Sequence, residues 1–297
     1  MEFINYYFIP GLVLGCIYAL GAVGVSLLFG ILRFAHFAHG DLITLGAYIA
    51  FFFTSTFGLT GLLSLPMAIL FSVVICILID RFFYKPLRFS PTVILLISSF
   101  GIALMLRATV QLIWGVEIES YNEGTFSVPL KIFDTLIIAE KHIYIVLFTF
   151  LIILIMHYFL AKTTMGKAMR AVSDNASLAQ ITGINTEKVI IWTWIIGGSL
   201  AASAGVFLGI DTQLQSNMGW DLLLPIFAAA ILGGIGSPYG AIIGGLIIGM
   251  AEELSSYTWL GDGTPLLSPG YKTGVAFAIM VLLLIWRPSG ILKGKVF

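Results

Sequence analysis

Long apolar runs broken by short polar links set the pattern of this chain. Runs near 9–31, 39–57, 61–80, 92–114, 142–161, 188–210 and 271–286 are predicted to be membrane-crossing helices, because about 20 apolar residues in a helix cross the hydrocarbon core. The stretch 222–256 differs. Two shorter pieces, 222–232 and 238–256, flank Gly233-Gly234-Ile235-Gly236-Ser237-Pro238. The first piece is too short to cross alone, so it is predicted to be a broken or re-entrant element. The expected fold is all-α: a single transmembrane domain over 1–297 with eight or nine transmembrane helices. Non-helical backbone at membrane depth is tolerated only where protein or water surrounds it. A deep turn at Gly233, Gly234 and Gly236 would therefore line a cavity, whereas a shallow one would be an ordinary turn.

Between two of the apolar runs lies a polar island, 162–188, with helix start and stop signals of its own. Thr163 or Thr164 can cap a first short helix and Asp174 a second, by accepting backbone N–H bonds. Gly183 sits where a left-handed residue would close it. Met165, Met169, Val172, Ala176 and Ala179 step by four, three, four and three, an apolar stripe that a break at Ser173-Asp174 would divide. The spacing fits an amphipathic link on the headgroups or a helix inserted into a groove of a cytoplasmic partner.

The links differ in charge. Arg81, Lys85 and Arg88 follow the third run, Lys162, Lys167, Arg170 and Lys188 mark the island, and Arg287, Lys293 and Lys295 the C-terminus. By contrast, 115–140 carries Glu117, Glu119, Glu123, Asp134 and Glu140 with Lys131 as its one basic residue. Basic loops stay cytoplasmic, which predicts the island and C-terminus inside and the N-terminus and 115–140 outside. Composition agrees with a membrane protein: 59% of residues are hydrophobic and 10% charged, against about 25% charged in soluble domains. The formal net charge of +0 offers no basis for nucleic-acid binding. Cys16 and Cys76 both sit in apolar runs and support no disulfide framework.

Few ionisable residues fall within the runs. His36, His39 and Asp41 link the first two. They suit an interfacial turn with Asp41 at a helix start, or a gate formed with Gly40 at the mouth of a pathway, and are too sparse for a metal site. Arg107 needs a partner such as Asp211, or a route to water. Mid-span acids of the kind a proton relay uses are lacking, which weighs against an ion-coupled carrier acting alone. No phosphate-binding Gly-x-x-x-x-Gly-Lys-Ser/Thr loop is present, so an ATP-driven step needs another subunit. Gly40-Asp41-Leu42 and Gly219-Trp220-Asp221-Leu222 form a faint internal echo, the kind of trace an inverted repeat leaves.

Gly11-Leu-Val-Leu-Gly-Cys-Ile-Tyr-Ala-Leu20, Phe37-Ala-His-Gly-Asp-Leu42 and Gly46-Ala-Tyr48 resemble the amino-terminal signature of LivH-type permeases. These are membrane subunits of bacterial branched-chain amino-acid ABC importers. Gly166-Lys-Ala-Met-Arg-Ala-Val172, Leu232-Gly-Gly-Ile-Gly-Ser-Pro-Tyr-Gly-Ala241 and Arg287-Pro-Ser-Gly-Ile-Leu292 continue the resemblance along the chain. His36 departs from it, replacing the Asn usual before Phe-Ala-His-Gly. The resemblance implies a bacterial inner-membrane subunit that performs no covalent chemistry and holds no cofactor. It implies as partners two cytoplasmic ATPases that bind ATP, a second related permease, and a periplasmic or lipid-anchored binding protein. It makes the island a coupling loop, with Arg170, Ser173, Asp174, Asn175, Ala179 and Gly183 facing the ATPase or shaping the loop. Importers of urea and short amides share much of the signature.

Overall fold

A computed structural model describes residues 3–121, 130–132, 136–258, 268–287 and 289–292. Glu123, Asp134, Lys293 and Lys295 lie outside them. In chain order the helices are α1 (Ile4–Leu32), α2 (His39–Phe57), α3 (Gly61–Leu87), α4 (Thr92–Trp114), α5 (Glu140–Lys162), α6 (Thr164–Asp174), α7 (Ala176–Ile181), α8 (Thr186–Asp211), α9 (Met218–Gly233), α10 (Pro238–Ser255) and α11 (Lys272–Trp286). Six of them, α1 to α5 and α8, are long and apolar enough to cross a membrane. A short antiparallel hairpin, β1 (Leu130–Ile132) with β2 (Leu136–Ile138), interrupts the link before α5.

Polar side chains begin several of these helices. Thr60 accepts from Leu63 N, Thr163 from Gly166 N, Asn185 from Lys188 N and Ser237 from Gly240 N. Each satisfies a donor that the first turn leaves without an intrahelical partner. Pro238 follows its cap at the first helical position, where its missing N–H costs nothing.

Glycines set the core by letting backbones touch. α1 runs against α10, where a Cβ on Gly249 would lie 2.4 Å from Gly15 Cα and one on Gly245 2.5 Å from Ala19 Cα. α8 packs on α3 with Gly198 against Cys76, and on α2 with Gly46 against Ala202. Such contacts replace the hydrophobic driving force that lipid does not supply between helices.

The contacts repeat. α1 packs on α9 and α10, and α8 on α2 and α3; α2 packs on α3 and α4, and α9 on α10 and α11. Exchanging α1–α4 for α8–α11 maps each of these pairs onto another. The connections match as well: six residues, 33–38, separate α1 from α2, and six, 212–217, separate α8 from α9. The echo between Gly40 and Gly219 is thus a real equivalence, and the two meet. A Cβ on Gly40 would sit 2.4 Å from Gly219 O, and one on Gly219 1.9 Å from Gly40 O.

Candidate functional site: a helix-start junction and a polar loop

After α1 the chain reverses at Arg33, the one non-glycine residue with positive φ among those described (φ 58). It then runs back into the protein instead of along its surface. Phe34, His36, Ala38, His39 and Asp41 are all buried. A Cβ on Gly24 would meet the His39 ring at 2.7 Å. Gly24 lies eight residues before the end of α1 (24 to 32), so α2 starts about 12 Å back along that helix. Ser99 of α4 accepts from Ala38 N at 3.1 Å, pairing a backbone donor that would otherwise be stranded. The expected surface turn at 33–41 is corrected in part: Arg33 is exposed, but residues 34–41 pack inside the protein. Asp41 is not a cap either. Ala38 holds that position without a side-chain bond, and Asp41 is the third helical residue.

Asp41 pairs with Arg107, in place of the expected Asp211. Arg107 Nε donates to Asp41 Oδ1 at 2.9 Å and Nη2 donates to Oδ2 at 3.2 Å. Asp41 is 1% exposed and Arg107 17%. The fork geometry spends two donors on two carboxylate oxygens, offsetting a burial cost of roughly 2.5–3.5 kcal/mol for each charge at a membrane helix centre. The guanidinium carbon also stands 4.8 Å from the Trp220 ring centroid, a cation–π contact that ties α4 to the start of α9. Asp211 instead meets Lys141 and His142.

Thr44, four residues after Gly40, accepts from Gly219 N at 3.0 Å. The sequence reading missed this bond and also Tyr18 Oη donating to Glu252 Oε2 at 2.6 Å. The partners are 175 and 234 residues apart, and no periodicity relates positions that distant. His36, where the LivH-type signature has Asn, has its ring among Phe34, Tyr84 and Trp194, with centroids 6.0, 5.5 and 5.1 Å away. His36 and His39 belong to no candidate metal cluster among the described residues.

The island folds as two short helices. Thr163 caps α6, but Asn175, not Asp174, caps α7 by accepting from Leu178 N at 3.0 Å. Asp174 is the last residue of α6, so the break falls one position later than expected. Gly183 has φ 89. Its N–H donates to Gln180 O, and that of Ile184 to Ala179 O. This is a Schellman closure, which favours glycine because a Cβ is strained there. Of the stripe, Met169, Val172 and Ala179 are buried, while Met165 and Ala176 are half-buried, so both helices contribute. Arg170 Nη1 donates to Leu160 O at 3.0 Å, anchoring α6 to the end of α5.

The Gly233–Pro238 turn lies beside this loop. Gly234 and Gly236 take positive φ, 106 and 81, and Gly236 N donates to Ser26 Oγ at 3.1 Å. A cavity of about 300 Å³ sits between them, lined by Ser26, Gly30, Arg170, Ser173, Asp174 and Gly236 among others. The turn does line a cavity, next to α6 and the end of α1. Of the predicted residues, Arg170, Ser173, Asp174 and Gly236 thus come together. His39, Gly40 and Asp41 form a separate group at the helix-start junction, and Ala179 and Gly183 shape α7.

Residues 7–284 match the family model described as "branched-chain amino acid transport system / permease component". The chain is 33% identical over 296 residues to the high-affinity branched-chain amino acid transport system permease protein BraD of Pseudomonas aeruginosa, covering 96% of this chain and 94% of that one. It is 36% identical over 294 residues to LivH of Escherichia coli K12, another high-affinity permease protein of that kind, covering 95% and 93%. Among solved structures, PsaBC from Streptococcus pneumoniae in complex with Fab aligns over 97% of this chain and 95% of that one, with TM-score 0.54 and 13% identity. At that identity the likeness concerns the fold alone.

Proposed function

The chain belongs to the family of branched-chain amino acid transport permease components, and from that premise we propose that it forms half of an importer's pathway for branched-chain amino acids. It is a multi-pass membrane subunit and not an enzyme. Two ATPase subunits drive it from the cytoplasm, a second, related permease completes the pathway, and a binding protein delivers substrate outside. ATP is bound by the ATPases, and this chain carries no cofactor. The basic links and the acidic 115–140 support an orientation with the α6–α7 loop and the C-terminus inside and the N-terminus outside. In this orientation α2 and α9 both begin within the membrane, α2 after a connection that is buried or half-buried from Phe34 on and α9 after one that buries Leu214 and Ser216 and leaves its other residues exposed. They make two re-entrant starts where one broken element was expected, and α10 and α11 complete the crossings.

The observation that carries the coupling role is the face of α7. This helix buries Ala179 yet leaves Leu178 57% and Ile181 84% exposed. Two bare aliphatic side chains on a capped, rigid helix outside the hydrocarbon suit insertion into a groove of an ATPase. Behind them, α6 packs against α1, α5 and α8. A displacement of the docked loop is therefore passed straight to α1 and, through Gly236, to the α9–α10 turn. Deletion of 174–182, or Gly183→Arg, should abolish uptake while folded protein persists in the membrane; undiminished uptake would remove the coupling role. Ile181→Asp should weaken ATPase capture by about 2 kcal/mol, roughly thirtyfold, as for a central interface anchor.

A further inference from the structure

The two helix starts carry one acid each, and only one of the acids is paired. Asp41 is enclosed and forked by Arg107. Asp221, in the first turn of α9, is exposed, and no described residue gives its carboxylate a hydrogen bond or ion pair, although Arg107 acts on it electrostatically. It lines an open cleft of about 440 Å³ whose lining also includes Thr212, Gln213, Gln215, Met218 and Leu222. Met218 and Leu222 are 7% exposed and form an apolar floor, while the hydroxyl and the two amides come from the connection preceding α9.

Depth decides what this face can border. Gly219, two residues earlier, touches Gly40, and the neighbouring His39 lies against Gly24 within α1. Arg107, beside Trp220, is seven residues from the end of α4 (107 to 114), about 10 Å, and the hydrocarbon half-thickness is about 15 Å. An exposed carboxylate at that level does not face lipid; charged residues in membrane segments face a bundle interior or a water-filled space.

We propose that this cleft is a substrate station on the pathway, with Asp221 receiving the α-ammonium group of an amino acid. The Gln213 and Gln215 amides and the Thr212 hydroxyl offer donors for the α-carboxylate. Met218 and Leu222 take the aliphatic side chain. The site selects a zwitterion over a carboxylic acid of the same carbon skeleton, because the acid leaves Asp221 without a counter-charge. This rests on the importer reading above and adds residues that touch substrate.

The test uses the complete complex, with both permeases, the ATPases and the binding protein, in proteoliposomes. Cys16 and Cys76, the two cysteines of this chain, are buried and free, so an Asn217→Cys variant, at an exposed position beside the site and outside its proposed contacts, gives the chain one accessible thiol, with labelling read on this subunit alone. A charged, membrane-impermeant thiol reagent should label it. Leucine should slow labelling, and 4-methyl-2-oxopentanoate, the same skeleton without an ammonium group, should not. Asp221→Asn should abolish the protection and lower ATP-driven leucine uptake about tenfold or more, as for loss of a charged hydrogen bond. Asp221→Glu should retain both in part. Equal protection by the two compounds, protection that survives Asp221→Asn, or unchanged uptake in that variant would overturn the station. Protection absent while wild-type uptake is intact would overturn it too. Wild-type complex that fails to take up leucine with ATP would instead remove the importer reading beneath it.

Discussion

The starts of α2 and α9 are built alike and finished differently. Each follows a six-residue connection, and their second helical residues, Gly40 and Gly219, press backbone to backbone. At α2 every charge is closed off: Asp41 is held by Arg107, and the entering backbone by Ser99. At α9 the backbone is held equally well, by Thr44, but Trp220 and Asp221 stay exposed. One copy of the motif serves as an anchor, and the other keeps a charged side chain available. The lesson is that a repeat doubles a backbone arrangement without doubling its chemistry. The helix-start geometry recurs because both halves need it, while side chains one position apart can diverge.

Substitutions can break this comparison. The largest effect should come from Arg107→Ala, which strands a buried carboxylate; breaking such a pair costs about 3–5 kcal/mol. Replacing both members, as in Arg107→Gln with Asp41→Asn, should recover much of it. Thermal unfolding in detergent would show both, and equal losses for the single and double variants would discard the pair as the cause. Next comes Gly219→Ala, whose new Cβ would meet the Gly40 carbonyl at 1.9 Å. Backbone on both sides has to yield, at about 1–3 kcal/mol or more. Gly101→Ala on the open face of α4, where nothing lies within 4 Å, should be neutral or stabilising by up to about 1 kcal/mol.

Thr44→Val leaves the Gly219 N–H without its acceptor and should cost about 1–3 kcal/mol. Hydrogen exchange at the first turn of α9 should rise while that of α2 stays slow, and an even rise would mean that the two starts are held as one. Smallest is Asp221→Ala. With no direct partner to lose, its stability should change by no more than about 0.5 kcal/mol. A loss near that of Arg107→Ala would contradict the contrast between the two acids.

Much of the fold was legible from pattern. The runs 39–57 and 92–114 became α2 and α4 with those bounds, because apolar length and flanking breakers are local signals. Thr163 and Gly183 were readable for the same reason: caps and left-handed closures depend on residues within one turn. Asp174 misled because Asn175 beside it is an equally good cap, and spacing alone does not choose between neighbours. Arg107 announced that it needed a partner, but two acids were available, and only packing could select Asp41 over Asp211. The segment 33–41 failed for a related reason, since a short polar link between apolar runs looks the same whether it crosses the headgroups or turns back inside.

Taken alone, the amino-acid order determined what is additive along the chain: membrane class, helix positions, the polarity of the links and the polar island's division into two short helices. It also carried the family likeness. Tertiary structure decided what depends on pairs of distant residues. It made Gly40 and Gly219 a contact, enclosed Asp41 with Arg107, and left Asp221 open in a cleft. The physical reason is range. Apolar periodicity and capping act over a few residues, so they are written locally. Ion pairing and backbone approach act across space, and the chain declares them only once α1, α2, α8 and α9 have packed.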